Sequence, residues 1–163
     1  MNNILNIIVA GIRWNSKWLL IKRQRGDYQK KWALIGGKME FNEEIKSAIL
    51  REIKEETGLT VKWEGIKGVI NERLIENDKG GKISHFVIIL CQVSTNKGEI
   101  VATEEGQLNW FSLDEIHNRK DEIIPSDYFM VTKLLQNEKI KQIIEIKMNQ
   151  SSKGLILTEI FEY

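Results

Sequence analysis

The sequence predicts an α/β (α+β) fold in which a mixed β-sheet is sandwiched between helices. Strand-like apolar runs occur before, between and after two stretches with helical spacing, which favours helices on the faces of one sheet. Residues typical of hairpin turns separate several of these runs. The length of 163 residues fits a single domain covering residues 1–163, and a domain of this size can bury a hydrophobic core.

Two strands are predicted near the start of the chain. Ile4–Ile12 and Lys17–Arg23 flank the turn Arg13–Ser16, an arrangement typical of a hairpin. The polar segment Arg25–Lys31 predicts a loop. The short apolar run Trp32–Ile35, which leads into a pair of glycines, predicts a further piece of strand.

The longest predicted helix covers Glu43–Thr57. It ends at Gly58, because glycine easily adopts the left-handed backbone conformation that follows many helices. Leu59–Leu74 then predicts strand. The turn Asn77–Gly81 connects it to a second strand at His85–Val93, as in a hairpin.

The last third of the chain predicts two helices and an edge strand. Leu113–His117 is a short helical stretch that follows Trp110-Phe111. Ser126–Asn137 carries apolar residues at helical spacing and predicts a longer helix. Gly154–Tyr163 predicts a strand at the edge of the sheet.

Composition narrows the class of protein. Hydrophobic residues make up 42% and charged residues 29% of the chain, the balance of a soluble globular protein. The net charge of +1 provides no basic field, so a nucleic-acid polymer is not the expected ligand. Cys91 is the only cysteine, which excludes an intrachain disulfide and predicts a buried, inert thiol in an apolar strand. No apolar run approaches the ~20 residues that cross a bilayer.

These features predict a cytoplasmic protein that does not bind membranes. Met1–Gly11 lacks the basic segment and cleavage site of a signal peptide. The sequence leaves the oligomeric state open, with a homodimer among the alternatives.

Three glutamates fall on one side of the predicted helix. At about 100° per residue, Glu52, Glu55 and Glu56 lie within one arc of roughly 100°, together with the aliphatic residues Ile45, Ala48 and Ile49. A run of charge on a helix is usually a solvated face. On an inward stripe, however, the carboxylates would repel one another and lose solvation. A hard divalent cation offsets both effects, which suggests metal-assisted phosphate chemistry.

The segment Gly37–Leu59 matches the pattern G-x5-E-x7-R-E-U-x-E-E-x-G-U, in which U is aliphatic. The fixed positions are occupied by Gly37, Glu43, Arg51, Glu52, Ile53, Glu55, Glu56, Gly58 and Leu59. This pattern is the Nudix box, so the chain resembles the Nudix hydrolase superfamily (MutT-like proteins). The wider resemblance runs from about Ile4 to Leu135.

The resemblance implies a Mg²⁺-dependent enzyme, with Mn²⁺ as an alternative ion, that cleaves phosphoanhydride bonds. It implies that Glu52 and Glu56 are the principal metal ligands, that Glu55 assists, and that Gly36 lends its backbone carbonyl. The implied catalytic residues are Arg51, Glu52 and Glu56.

Further roles follow from the same resemblance. A downstream acid often completes the metal site, and Glu105 is the candidate, ahead of its neighbour Glu104. The general base differs among Nudix enzymes, with Glu52 preferred here and Glu105 second. Arg51 matches an arginine that orients the glutamates, and Glu43 matches a structural acid at the start of the helix.

Several residues before and within the box are candidates for binding substrate. Arg23, Arg25 and Lys38 could meet phosphate oxygens, although solvated surface charge explains each of them equally well. Tyr28 or Trp32 could stack on a base, whereas packing in the core is the simpler interpretation of Trp32.

The segment around Pro125 resembles the oxidised-purine nucleoside triphosphatases of the superfamily. In those enzymes acidic residues at a helix start face the base, and Asp127 is the matching acid. Helix capping by Ser126 or Asp127 is the alternative. Two positions depart from the resemblance: Ser126 stands where the mammalian enzymes have an acid, and Ala33 replaces an asparagine that contacts the base.

The predicted function is therefore hydrolysis of a small-molecule nucleotide. The leading hypothesis is a nucleoside triphosphate pyrophosphohydrolase that releases the monophosphate and pyrophosphate, with 8-oxo-dGTP as one candidate substrate. The alternatives are a hydrolase of ADP-ribose or another nucleoside diphosphate derivative, an RNA 5′ pyrophosphohydrolase, and a nucleotide sensor without catalysis.

Overall fold

The computed structural model describes residues 3–26, 28–101, 103–137 and 142–162. Nine strands are found in these ranges: β1 Ile4–Trp14, β2 Lys17–Arg23, β3 Trp32–Ala33, β4 Ile35–Lys38, β5 Lys62–Glu76, β6 Lys82–Ser94, β7 Gly106–Phe111, β8 Gln142–Ser151 and β9 Gly154–Glu162. The α-helices are α1 Ile45–Thr57, α2 Leu113–Asn118 and α3 Pro125–Phe129, and α3 continues into a π-helical turn at Met130–Leu134.

The strands form one mixed sheet, in the order β3-β2-β1-β6-β5-β8-β9. Two further strands extend it, since β4 pairs with β1 and β7 pairs with β2. The pairs β1–β6 and β5–β8 are parallel, and the other pairs are antiparallel. The predicted α+β class with a mixed sheet is therefore confirmed.

The first predicted hairpin forms as expected. Asn15 and Ser16 connect β1 to β2 with φ angles of 45° and 62°, the conformation of a turn whose twist matches its two strands. The second hairpin joins β5 to β6 through a 3₁₀ turn at Asn77–Lys79, followed by Gly80 and Gly81 at φ 70° and 75°. Both turns therefore depend on residues that tolerate positive φ.

The strand β8 was not predicted, although its sequence carries a clear signal. Ile144, Ile146 and Met148 alternate with more exposed residues along Gln142–Ser151, which is the period of a strand with one buried face. β8 pairs in parallel with β5 on one side and forms a hairpin with β9 on the other. The predicted edge strand at the C-terminal end is found as β9, up to Glu162.

The two longer helices differ from the prediction at their ends. α1 begins at Ile45 rather than Glu43, because the backbone of Glu44 is extended (ψ 146°) and forms the N-cap. The Glu43 carboxylate turns back and accepts a hydrogen bond from Glu40 N at 3.0 Å. It ends at Gly58 as predicted, with φ 71°. The helix predicted at Ser126–Asn137 starts one residue earlier and is helical only to Leu134, with a change to π-helical bonding on the way.

The core lies between the sheet and the helices. α1 buries Ala48, Ile49 and Ile53 against β1 and β4, and each fully buried isoleucine side chain contributes about 1.5–3 kcal/mol. Cys91 is completely buried, and burial raises the pKa of its thiol to about 12. The prediction that Cys91 is buried is confirmed. Among the described residues, no helix has the length and apolar character required to span a membrane.

Candidate active site

A cleft of about 490 Å³ opens beside β4 and the C-terminal part of α1, which is within the size range of small-molecule sites. Two groups of carboxyl side chains contribute to its lining. Glu56 and Glu105 form one group, and Glu72 and Asp127 form the other. The lining also includes the predicted substrate-binding residues Arg23, Arg25, Tyr28 and Lys38, and the predicted metal-binding Gly36.

Arg51 organises the acidic residues of the box. Its Nε and Nη2 donate to the two carboxylate oxygens of Glu43 at 2.9 and 3.0 Å. Its Nη1 donates to Glu52 at 2.8 Å and to Glu55 at 3.3 Å, and Nη2 also donates to the carbonyl of Lys38 at 3.3 Å. This two-pronged pairing holds the pKa of Glu43 at about 2, and the paired carboxylates raise the pKa of Arg51 above its ordinary value. Arg51 therefore positions Glu52.

Glu52 lies against the backbone of β4. A Cβ atom at Gly37 would come within 2.7–2.9 Å of the Glu52 carboxylate, so the absence of a side chain at Gly37 makes room for it. The Glu52 side chain is only 12% exposed. It is not among the described residues that line the cleft, but its negative charge acts on Glu56, which does line it.

Glu56 is the box carboxylate that faces the cleft. Its Oε2 accepts a hydrogen bond from Gly36 N at 3.2 Å. Burial raises the pKa of Glu56 to about 8, and the negative charges of Glu52 and Glu105 act in the same direction. The Gly36 hydrogen bond and the charge of Arg23 oppose this rise. The surroundings of Glu56 therefore carry too little positive charge to stabilise its ionised form.

Glu55 does not share the inward stripe, and that expectation is wrong. Its side chain is 60% exposed and pairs with Arg51 across one helical turn. The buried stripe of α1 continues from Ala48 through Ile53 to Thr57, and Glu55 lies roughly 120° around the helix axis from the centre of that stripe. The predicted inward stripe was based on Ile45, Ala48 and Ile49 in the first half of the helix, and it therefore placed Glu55 too far inward.

Glu105 lies in a turn rather than in extended structure. Thr103 and Gly106 bridge to each other on either side of it, and the Thr103 hydroxyl donates to the carbonyl of Glu56 at 3.0 Å. This bond ties the turn to the end of α1. Both Glu104 and Glu105 are exposed, but Glu105 lines the cleft within electrostatic reach of Glu56, whereas Glu104 is not part of the described lining.

Arg23 links the two groups of carboxyl side chains. Its charge lowers the pKa of both Glu56 and Asp127, so its guanidinium lies within electrostatic reach of both. Its Nε is buried and makes no hydrogen bond to any described residue. Trp32, by contrast, is buried and packs edge-on against Phe111 with ring centroids 4.8 Å apart. The core interpretation of Trp32 is confirmed.

Asp127 does not cap its helix, so the capping interpretation is wrong. The residue before α3 is Ile124, and no side chain caps the helix there. Instead, Asp127 Oδ2 accepts a hydrogen bond from Leu34 N at 2.7 Å, between β3 and β4. Only 8% of Asp127 is exposed, and burial raises its pKa to about 7.

Glu72 belongs to the cleft but was missed by the sequence analysis. It lies on β5, is only 2% exposed, and its Oε1 accepts a hydrogen bond from Tyr28 Oη at 3.4 Å. Burial raises its pKa to about 7, with the charge of Asp127 acting in the same direction. The signal was an acid at an inward position of a strand, since Ile70 and Leu74 on either side of it are fully buried.

The described part of the chain contains no group of three Asp, Glu, His or Cys side chains arranged to hold a metal ion. Glu52 is held by Arg51, and Glu56 is held by Gly36. The residues nevertheless fit a hard divalent ion in their chemistry. They are oxygen donors, and Glu56 in its ionised form lacks positive charge nearby.

Comparison with known proteins agrees with this architecture. The model of the NUDIX domain matches residues 5–131. The uncharacterized Nudix hydrolase YvcI of Bacillus subtilis is 30% identical over 108 residues, which cover 66% of this chain and 65% of that protein. The ADP-ribose pyrophosphatase of Methanocaldococcus jannaschii is 34% identical over 106 residues, 64% of this chain and 60% of that protein.

Two further proteins are similar. The oxidized purine nucleoside triphosphate hydrolase of Danio rerio is 32% identical over 98 residues, 60% of each chain. The crystal structure of a MutT protein from Bacillus halodurans superposes with a TM-score of 0.76, at 23% identity, over 98% of this chain and 97% of that one. The match thus spans about three fifths to two thirds of these curated relatives.

The curled mixed sheet and the box helix define a protein of the Nudix fold class. The family match covers most of the chain, and the chain belongs to the Nudix family.

Proposed function

We propose that this protein is a Mg²⁺-dependent nucleoside triphosphate pyrophosphohydrolase. It cleaves purine nucleoside triphosphates, including oxidised ones such as 8-oxo-dGTP, to the monophosphate and pyrophosphate. One observation carries the proposal: a single cleft combines the box carboxylate Glu56 with the buried acid Asp127, and Arg23 lies within electrostatic reach of both. Such a cleft would accommodate the triphosphate at one group of residues and the base at the other.

The divalent ion would be held by Glu56 and Glu105, with Glu52 and the carbonyl of Gly36 beside them. Mg²⁺ usually takes only one or two carboxylates and completes its shell with water and substrate phosphates, so a small set of protein ligands suffices. When bound, such an ion polarises a phosphoryl oxygen and provides an activated water. Mn²⁺ suits the same oxygen donors.

The remaining residues position and bind the substrate. Glu52 is the proposed general base, and Arg51 holds its carboxylate at 2.8 Å. Arg23 and Lys38 line the cleft and would bind phosphate oxygens through charge-assisted hydrogen bonds. Asp127 would bind N–H groups on the purine edge. The similarity to the zebrafish oxidized purine nucleoside triphosphate hydrolase supports this choice of substrate.

Comparing kcat/KM for 8-oxo-dGTP, dGTP, CTP and ADP-ribose under one set of conditions tests the proposal. We expect the two guanine nucleotides to be cleaved best, with release of monophosphate and pyrophosphate, and we expect EDTA to abolish turnover. A clear preference for CTP or ADP-ribose would overturn the substrate assignment. Turnover that is unaffected by EDTA would overturn the metal dependence.

Hydrolysis of ADP-ribose is the second candidate function. The ADP-ribose pyrophosphatase of Methanocaldococcus jannaschii is 34% identical over the matched region, and its reaction would use the same carboxylates around the cleft. The products separate the two functions, because ADP-ribose hydrolysis releases AMP and ribose 5-phosphate without pyrophosphate.

Three features stay predictions from the sequence. They are the single domain covering residues 1–163, the cytoplasmic location and the homodimer. The last can be checked by light scattering of the purified protein.

A further inference from the structure

We propose that Glu72 is a specificity-determining residue which, together with Asp127, binds the N–H groups on the edge of a guanine base. The inference rests on the proposed function, because it assumes a nucleotide substrate. It deepens that function by naming the base and by adding a residue outside the box and outside the segment around Pro125.

The position of Glu72 points to a ligand. It lies in the middle of β5 on the face that packs into the core, between the fully buried Ile70 and Leu74. Its cross-strand partner on β6 is Phe86, which is half-buried and also lines the cleft. Burying a carboxyl group among apolar side chains is costly unless its oxygens are used. The cleft is where a ligand would use them.

The carboxyl oxygens of Glu72 are poorly satisfied within the protein. Oε1 accepts one long hydrogen bond, from Tyr28 Oη at 3.4 Å. Oε2 is buried and accepts no hydrogen bond of good geometry from any described residue. The Ser126 hydroxyl is close enough to lower the pKa of the group. A buried acceptor that lacks a well-formed hydrogen bond, at the wall of a cleft, would gain one from a bound N–H group.

Asp127 provides the second acceptor. Its Oδ2 accepts a hydrogen bond from Leu34 N, and the residue lines the same cleft as Glu72. The negative charge of Asp127 raises the pKa of Glu72. Two neighbouring carboxyl groups resist ionising together, which favours keeping a proton on one of them.

This pair complements guanine better than adenine. The hydrogen-bonding edge of guanine presents a ring N–H, an amino group and a carbonyl oxygen, whereas that of adenine presents an amino group and a ring acceptor. Two carboxyl groups that share one proton offer several acceptor sites and one O–H donor. The apolar wall formed by Phe86 and Ile88 suits the flat faces of the ring.

The test compares Glu72→Met and Glu72→Gln with Glu76→Met. Glu76 is a matched control, because it lies on the same face of β5, is also 2% exposed, and is not part of the described lining of the cleft. Calorimetry would measure the binding of GMP and AMP, and kcat/KM would be measured for GTP and ATP. Melting temperatures would show that each variant is folded.

We expect Glu72→Met to reduce the preference for GMP over AMP roughly 5- to 150-fold, the range for loss of a buried hydrogen-bond partner. Glu72→Gln keeps one acceptor oxygen and should fall between the wild type and Glu72→Met. Glu76→Met should keep the wild-type ratio. A wild-type ratio in both Glu72 variants would overturn the inference, as would a wild type that binds AMP as well as GMP.

The two proposals can fail separately. If the wild type hydrolyses none of the nucleotides, the proposed function is wrong, while GMP binding still decides the role of Glu72. If the wild type hydrolyses GTP but the Glu72 variants keep its base preference, the hydrolase proposal stands and the inference about Glu72 is wrong.

Discussion

The carboxylate of Glu52 on α1 packs directly against the backbone of Gly37 in β4. A Cβ atom added at Gly37 would lie 2.7 Å from Oε1 of Glu52. The same oxygen accepts a hydrogen bond from Arg51 Nη1 at 2.8 Å. Glu52 is thus held between a glycine that leaves space and an arginine that provides charge. This arrangement explains physically why a glycine at position 37 suits a glutamate at position 52.

Alanine substitutions at two adjacent glycines should have different effects, one on catalysis and the other on stability. In Gly37→Ala the new methyl group meets the far end of the Glu52 side chain, which can move, so we expect kcat to fall roughly 10- to 100-fold through misplacement of the carboxylate. In Gly36→Ala the methyl group would lie 2.0 Å from the carbonyl oxygen of Ile8, at φ 150°.

Because that clash involves rigid backbone, Gly36→Ala should lose about 2–4 kcal/mol of unfolding free energy. Urea denaturation and steady-state kinetics on both variants check the contrast. Equal losses of stability would show that the two glycines do not differ in this way.

Glu56→Gln should lower kcat by orders of magnitude while the protein remains folded. Glutamine keeps the acceptor for Gly36 N but removes the charge that would hold the divalent ion. Glu55→Gln is the matched control within the box, since its side chain is 60% exposed, and we expect a much smaller effect. Turnover near the wild-type rate in Glu56→Gln would contradict the assignment.

The neighbouring acids Glu104 and Glu105 should differ in their effects. Both are exposed, but Glu105 lines the cleft within electrostatic reach of Glu56, and Glu104 is not part of the described lining. We therefore expect Glu105→Gln to reduce kcat more than Glu104→Gln at saturating Mg²⁺. Equally mild effects in both variants would indicate that Glu105 is a solvated surface residue and not part of the metal site.

Asp127→Ala should affect both stability and base preference. It leaves the amide of Leu34 without its acceptor, which costs about 1–3 kcal/mol for a buried group. The preference for purine over pyrimidine triphosphates should fall roughly 5- to 150-fold by the same reasoning. Asp127→Asn keeps an acceptor for Leu34 and should recover most of the stability. An unchanged purine preference in Asp127→Ala would argue against a role in base binding.

Stability in the absence of divalent ions should fall as the pH rises from about 4 to about 7. The pKa values of Glu72 and Asp127 are raised from 4.5 and 3.8 to about 7 in the folded protein. Across this window the unfolded chain has already released protons that the folded chain retains, so rising pH favours unfolding. Glu72→Gln should flatten the dependence, as measured by melting temperature from pH 4 to 8 in EDTA. A wild-type slope in that variant would contradict this account.

The sequence by itself determined the parts of this protein that depend on neighbouring residues. The hairpin at Asn15 and Ser16 and the end of α1 at Gly58 follow from the backbone freedom of single residues. The box spacing places Glu52 and Glu56 one turn apart on α1, because the geometry of a helix is regular. Such features need no knowledge of distant segments.

Only the tertiary structure decided which side chains lie together in the cleft. Asp127 accepts a hydrogen bond from Leu34, 93 residues away in the sequence, whereas the local sequence pattern suggested that it could cap a helix. Glu72 on β5 comes within electrostatic reach of Asp127 on α3 although the two are far apart in the sequence. Glu55 turns outward because the buried stripe of α1 follows Ala48, Ile49, Ile53 and Thr57. Burial and long-range contacts depend on how whole elements pack, and no spacing within one segment contains that information.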